Sequence, residues 1–275
     1  MRLVKTRAQV RVASVELNHH RTGTGEPLVL LHGIGSRWQV WNPVLDRLAA
    51  QRDVVALDLP GFGASPMPPP GTEAGTPSLT TLVLEFLGEL GIERPHVAGN
   101  SLGGVIALEM AKRDVVRSAT VLSPGGFYNW PESRFALASL LLTMRAARAF
   151  APRADRLVNR PGLRRLFLNQ TFGHPERVPA REAAETVRAF AQAPWFEETL
   201  VATRREEFAD GDRIEVPVTI AWGDKDRLLL PRQAKRAGKQ IPRARLVTLT
   251  DCGHVPMYDD PEQVARVLLQ GSAPV

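Results

Sequence analysis

A chain of 275 residues, 44% hydrophobic and 23% charged, is long enough for one large core and lies far from the compositions of disordered or fibrous proteins. Its formal charge of +6 rests on 30 Arg and 5 Lys, and no nucleic-acid-binding motif accompanies it, so a solvated basic surface rather than a nucleic-acid partner is expected. One cysteine, Cys252, excludes an internal disulfide framework and fits a reducing, cytoplasmic location, and the opening MRLVKTRAQVRVASVELNHH lacks the apolar core and cleavage site of a secretory signal.

In chain order, QVRVA and a partner near SVELNHHRTG read as an antiparallel edge. PLVLLHG (27–33), DVVALDLPG (53–61), PHVAGNS (95–101), SATVLSPGG (118–126), VPVTIAWGD (216–224) and ARLVTLTDCGH (244–254) follow as strands. Their continuous apolar runs, without polar alternation, are those of strands buried on both faces. Helical text at 38–50, 79–90, 102–113, 231–239 and 261–270 supplies the crossovers, and the Pro/Gly-rich stretch 65–78 reads as an irregular surface loop. The expected fold is α/β: a doubly wound, mostly parallel, eight-stranded sheet.

Between 127 and 213 the strand rhythm stops. This Ala-, Leu- and Arg-rich segment reads as a helical cap subdomain inserted after strand six, with residues 1–126 and 214–275 forming the core domain. Its first part is strongly basic: 134–165 holds eight Arg against the single Asp155. The longest apolar run, FALASLLLTM (135–144), is half the length of a membrane span, so no transmembrane segment is expected. A cap at this point in the chain would cover the carboxyl ends of the strands, where open α/β sheets bind ligands.

The chemistry concentrates at Gly99-Asn100-Ser101-Leu102-Gly103, a G-x-S-x-G pattern where an apolar strand turns directly into a helix. So tight a turn strains the central residue and tolerates only small neighbours, which Gly99, Gly103 and Gly104 provide. A serine hydroxyl needs a base, and the base needs an orienting group. His254, in the loop after the last strand, offers the first; Asp224 and Asp226, after the preceding strand, both lie within reach as the second. For the oxyanion, Leu102 N–H stands at the helix start and Ile34 N–H in the loop His32-Gly33-Ile34-Gly35. His32 is expected to orient that loop by hydrogen bonds.

The segments HGIG, DLPGFGASP, GNSLGG and WGDKD…GHVP, in this order, resemble the α/β-hydrolase family, in the subgroup with a helical cap between strands six and seven. The resemblance runs from about residue 14 to 270. It implies a catalytic triad of Ser101, Asp226 and His254: the family spacing G-x-x-D-x-x-x-x-P, read from Gly223, selects Asp226. The other position known in relatives, after strand six, is Ser123-Pro124 and carries no carboxylate. Ser101 argues against the relatives that dehalogenate or open epoxides through an aspartate. Asp259 stands where relatives often carry Glu. Cys252 is expected to be a buried filler.

The expected activity is hydrolysis of small to medium carboxylic esters through an acyl-enzyme, with no metal and no organic cofactor. Lactone or carbon–carbon bond hydrolysis, perhydrolase or cofactor-free oxygenase chemistry, and a ligand receptor without catalysis are the alternatives. Among the aromatics Trp38, Trp41, Phe127, Trp130, Trp195 and Phe196, Trp130 and Trp195 are the residues chosen as substrate-pocket walls.

Overall fold

The computed structural model describes residues 16–273. Seven strands form one sheet among these residues: β1 (His19–Thr22), β2 (Pro27–Leu31), β3 (Asp53–Leu57), β4 (His96–Asn100), β5 (Ser118–Leu122), β6 (Val218–Gly223) and β7 (Arg245–Leu249). Their order is β1-β3-β2-β4-β5-β6-β7, parallel throughout except β1, which runs antiparallel to β3 with His19 opposite Leu57. The expected strand QVRVA lies outside the described residues.

The apolar runs sort by parity, because successive strand side chains point to opposite faces. Val29 and Leu31 join Val55, Leu57, Val97 and Val121 in one core; Leu28 and Leu30 join Val54, Ala56, Ala98 and Leu122 in another. Helices α2 (Thr76–Glu89), α3 (Leu102–Lys112) and α9 (Gln233–Gln240) cover the first face. The second is covered by α1 (Asn42–Ala49) and α10 (Pro261–Gly271). Each fully buried Leu or Val contributes about 1.5–3 kcal/mol, so the two layers hold the central strand ends, and the loops leaving them, in fixed positions.

Helix α2 begins at Thr76, inside the stretch expected to be irregular. Pro77 suits a first helical turn, and the Thr76 N–H donates to both carboxylate oxygens of Glu206 at 3.1 Å, a negative charge placed where the helix dipole favours it. The segment 38–50 starts as a single 3₁₀ turn, Trp38–Trp41, before α1.

Between β5 and β6 lie α4 (Trp130–Phe150), α5 (Ala154–Val158), α6 (Pro161–Leu168), α7 (Ala180–Gln192) and α8 (Phe196–Thr203). Helix α4 is started by a capping box: Glu132 N–H donates to Asn129 Oδ1 and Asn129 N–H to Glu132 Oε2. The same buried carboxylate accepts from Arg232 Nε at 2.6 Å and from Arg236, tying the start of α4 to α9. Burial pushes the Glu132 carboxyl up, but the Asn129 amide and the two guanidinium groups outweigh it and leave it below its ordinary value.

A group depressed in the folded state stabilises above its unfolded pKa, about 4.3 for Glu, and that stability is lost as pH falls through the folded value. Glu132→Gln should therefore lower stability at neutral pH by about 1–2 kcal/mol, the scale of charge-assisted hydrogen bonds whose arginine partners stay solvated. In urea titrations the gap from wild type should close as the pH is taken from about 5 toward 3.

Candidate active site

The turn from β4 into α3 is made by one residue. Ser101 has φ +54° and ψ −114°, outside the usual regions for an L-residue, which costs on the order of 1–3 kcal/mol. The flanking positions admit no side chain: a Cβ on Gly99 would lie 2.1 Å from Gly103 O, and one on Gly103 2.2 Å from Leu31 O. Bonds from Ser101 N–H to Leu122 O (3.0 Å) and from Val105 N–H to Ser101 O (3.1 Å) hold the strained residue between β5 and the first turn of α3.

His254 and Asp226 meet behind this turn, both buried. His254 Nδ1 donates to Asp226 Oδ2 at 2.8 Å, which leaves Nε2 to face outward as an acceptor. Asp226 Oδ1 accepts from Leu228 N–H and Leu229 N–H, each at 2.9 Å, so the carboxylate is held from both sides. Asp224, left open by spacing alone, instead accepts from Cys252 N–H at 3.3 Å. Ser101 and His254 line one cavity, and no hydrogen bond joins them among the described residues.

Two further residues fix the His254 loop. Asn100 Nδ2 donates to His254 O (2.9 Å) and Leu122 O (3.0 Å), linking the turn to that loop. The buried Asp259 carboxylate accepts from Gly253 N–H at 2.8 Å and, in the insertion, from Gly173 N–H at 2.9 Å and His174 N–H at 2.7 Å. The Asn at the second position of the motif and the carboxylate five residues after the histidine were visible in the sequence. Their partners, up to 154 residues away, were not.

Ile34 and Leu102, the expected oxyanion donors, both line the cavity at Ser101, and neither amide is engaged by another described residue. His32 takes the orienting role expected of it. Nε2 accepts from Leu59 N–H at 3.0 Å, so Nδ1 carries the proton and donates to Gly33 O at 2.7 Å. Burial holds this imidazole below its ordinary pKa against the pull of Asp58, which keeps it neutral.

Ser101 sits where two spaces join. A cavity of about 500 Å³ is lined by the apolar Leu102, Val105, Leu137, Leu140 and Phe208 and also by Glu109, Lys112, Pro77 and Thr203–Glu207. A narrow pocket of about 50 Å³ lies on the other side, against Gly33, Phe172, Phe190, His254 and Tyr258. The choice of Trp130 and Trp195 as walls is corrected here, since neither lines either space. Trp130 opens α4 facing solvent with Arg134 over its ring, and Trp195 is buried against Gly61 with Nε1 bonded to Glu198. Cys252 is fully buried, its thiol pushed up to about 12 by desolvation and four surrounding carboxylates, so it is inert filler. No group of three or more His, Cys, Asp or Glu placed to hold a metal ion occurs among the described residues.

Sheet order, crossover pattern and the strand–serine–helix turn together define an α/β hydrolase. A model described as "Alpha/beta hydrolase family" matches residues 28–267, and the chain belongs to that family. Lipase 3 of Moraxella sp. (strain TA144) is 27% identical over 251 residues, 88% of this chain and 76% of the lipase. A crystal structure of a membrane phospholipase A superposes with TM-score 0.75 at 28% identity, covering 96% of this chain and 85% of that one. The enol-lactonase of Burkholderia xenovorans LB400 shares the fold at TM-score 0.74 and 21% identity, over 94% and 97% of the two chains.

Gly103→Ala tests the turn. With a backbone oxygen 2.2 Å from the new Cβ, the substitution should cost about 3 kcal/mol or more in urea unfolding, beyond ordinary overpacking.

Proposed function

We propose that the protein is a serine hydrolase of carboxylic esters, with Ser101 as nucleophile, His254 as base and Asp226 as the group that orients it. The observation that carries this reading is the 2.8 Å bond from His254 Nδ1 to Asp226 Oδ2, which turns Nε2 toward the cavity that Ser101 lines. As Ser101 Oγ attacks the ester carbonyl, its proton passes to His254 Nε2, and the charge moves onto the carbonyl oxygen within reach of the Ile34 and Leu102 amides. Collapse of this intermediate expels the alcohol, which takes the proton from His254. Water, deprotonated by the same imidazole, then releases the acid and restores Ser101.

Residues 127–213 are the cap in this proposal, and Leu137 and Leu140 of α4 form the apolar roof of the larger space. The unequal spaces on either side of Ser101 suit an ester with one bulky apolar part and one small part. The likeness to a lipase supports an ester as the substrate, and a lactone presents the same bond closed into a ring.

A series of p-nitrophenyl esters from acetate to long-chain acyl groups tests this. Wild type should show a chain-length optimum, Ser101→Ala should lose on the order of 10⁶-fold in kcat, and Asp226→Asn about 10⁴-fold through the wrong imidazole tautomer. Full activity of Asp224→Asn beside an inactive Asp226→Asn would settle which aspartate acts; the reverse result would overturn the assignment.

A further inference from the structure

Helix α4 has two faces of different use. Ser133, Ala136, Leu137 and Leu140 line the 500 Å³ cavity, while the opposite face exposes large apolar side chains, Phe135 by 50% and Leu142 by 68%; Trp130, at the start of the helix, is 68% exposed. At the helical spacing of 100° per residue, Arg134, Phe135, Ala138, Leu142, Arg145 and Ala149 fall along one outward stripe, all exposed. At the end of α4, Phe150 packs edge-on to Phe167 of α6, and Leu166 beside it is 73% exposed.

The unpaired charge of residues 134–165 has one sign. Arg134, Arg145, Arg153, Arg156 and Arg160 are exposed and have no acidic partner among the described residues. The lone acid of 134–165, Asp155, is held by Arg188 of α7, while Arg148 pairs with Glu197 and Arg165 approaches Glu176. Unpaired arginines interleaved with exposed Trp, Phe and Leu are the composition of a helix lying in a membrane interface, where apolar groups enter the acyl boundary and guanidinium groups meet lipid phosphates. No described helix is long and apolar enough to cross a membrane, and α4, about 30 Å long at 1.5 Å per residue, would lie flat on one.

We propose that the outer face of α4 docks on an anionic lipid bilayer. A nucleic acid would satisfy the arginines but would leave Phe135 and Leu142 in water. A second copy of the chain, packed about a two-fold axis, would set unpaired arginines against their own copies. Docking by this face sets the helix that roofs the cavity against the lipid surface.

Flotation with vesicles of phosphatidylcholine alone, or with about one third phosphatidylglycerol, tests the proposal. The wild-type bound fraction should rise about 10-fold with the anionic lipid and fall again in about 0.5 M salt. Arg134→Glu with Arg145→Glu should lower partitioning about 10-fold or more, and Leu142→Ser, which keeps the charge, about 3-fold. These positions are outside the cavity walls, so thermal unfolding midpoints should stay at the wild-type value. Equal binding to both vesicle types, or variants with wild-type unfolding midpoints that float like wild type, would overturn it. So would displacement of the vesicles by duplex DNA at equal phosphate. Because flotation reads association and not turnover, Ser101→Ala should float like wild type, and the docking stands or falls apart from the esterase reading.

Discussion

The chain between β4 and α3 reverses from strand to helix within the space of a single residue, and everything else at the site is arranged around that reversal. With no side chain at Gly99 or Gly103, the start of α3 presses against the end of β2, and Ser101 is left in a conformation it would not adopt alone. The closeness that creates the strain also brings the loop after β2 alongside the helix start. The Ile34 and Leu102 amides therefore reach the same cavity from two different strands. Hydrogen bonds to β5 and to the first turn of α3, together with buried cores on both sheet faces, keep the strained turn in place.

Much of this could be read from the sequence because it is written in short-range patterns. The continuous apolar runs gave the parallel strands their positions, and the glycines around Ser101 identified the turn. Asp224 and Asp226 could not be separated by spacing, since both follow β6 within three residues of its end. They part through tertiary contacts: the Leu228 and Leu229 amides fold under Asp226 and turn it to His254, while Asp224 is taken by the Cys252 amide. The tryptophans failed for a related reason. Aromatic content in the insertion does not say which way a helix is rotated, and Trp130 falls on the outward side of α4 while Trp195 fills the gap beside Gly61. The parts of α3 and α4 that do line the cavity are Leu102, Val105, Ala136, Leu137 and Leu140 beside Glu109, Lys112 and Ser133, a pattern like that of any partly buried helix face. The start of α2 was misplaced because its N-terminus is completed by Glu206, 130 residues away.

The insertion is fastened to the sheet domain at separated points. Glu132 binds the start of α4 to α9, Glu206 binds the segment after α8 to α2, and Asp259 joins the loop after α6 to the backbone just before His254. Val255 N–H adds a bond to Thr171 O at 2.8 Å in the same seam. The Glu206, Asp259 and Thr171 acceptors meet backbone donors that a helix end or tight loop would otherwise leave unpaired, while Glu132 meets the guanidinium groups of Arg232 and Arg236.

Such fastening has a consequence for motion. A roof pinned at its first helix, its last turn and its middle cannot swing clear without giving up bonds that also hold the His254 loop. Displacement of the insertion at Gly173 and His174 is carried through Asp259 to the backbone beside His254, so strain introduced at that seam reaches both parts of the chain.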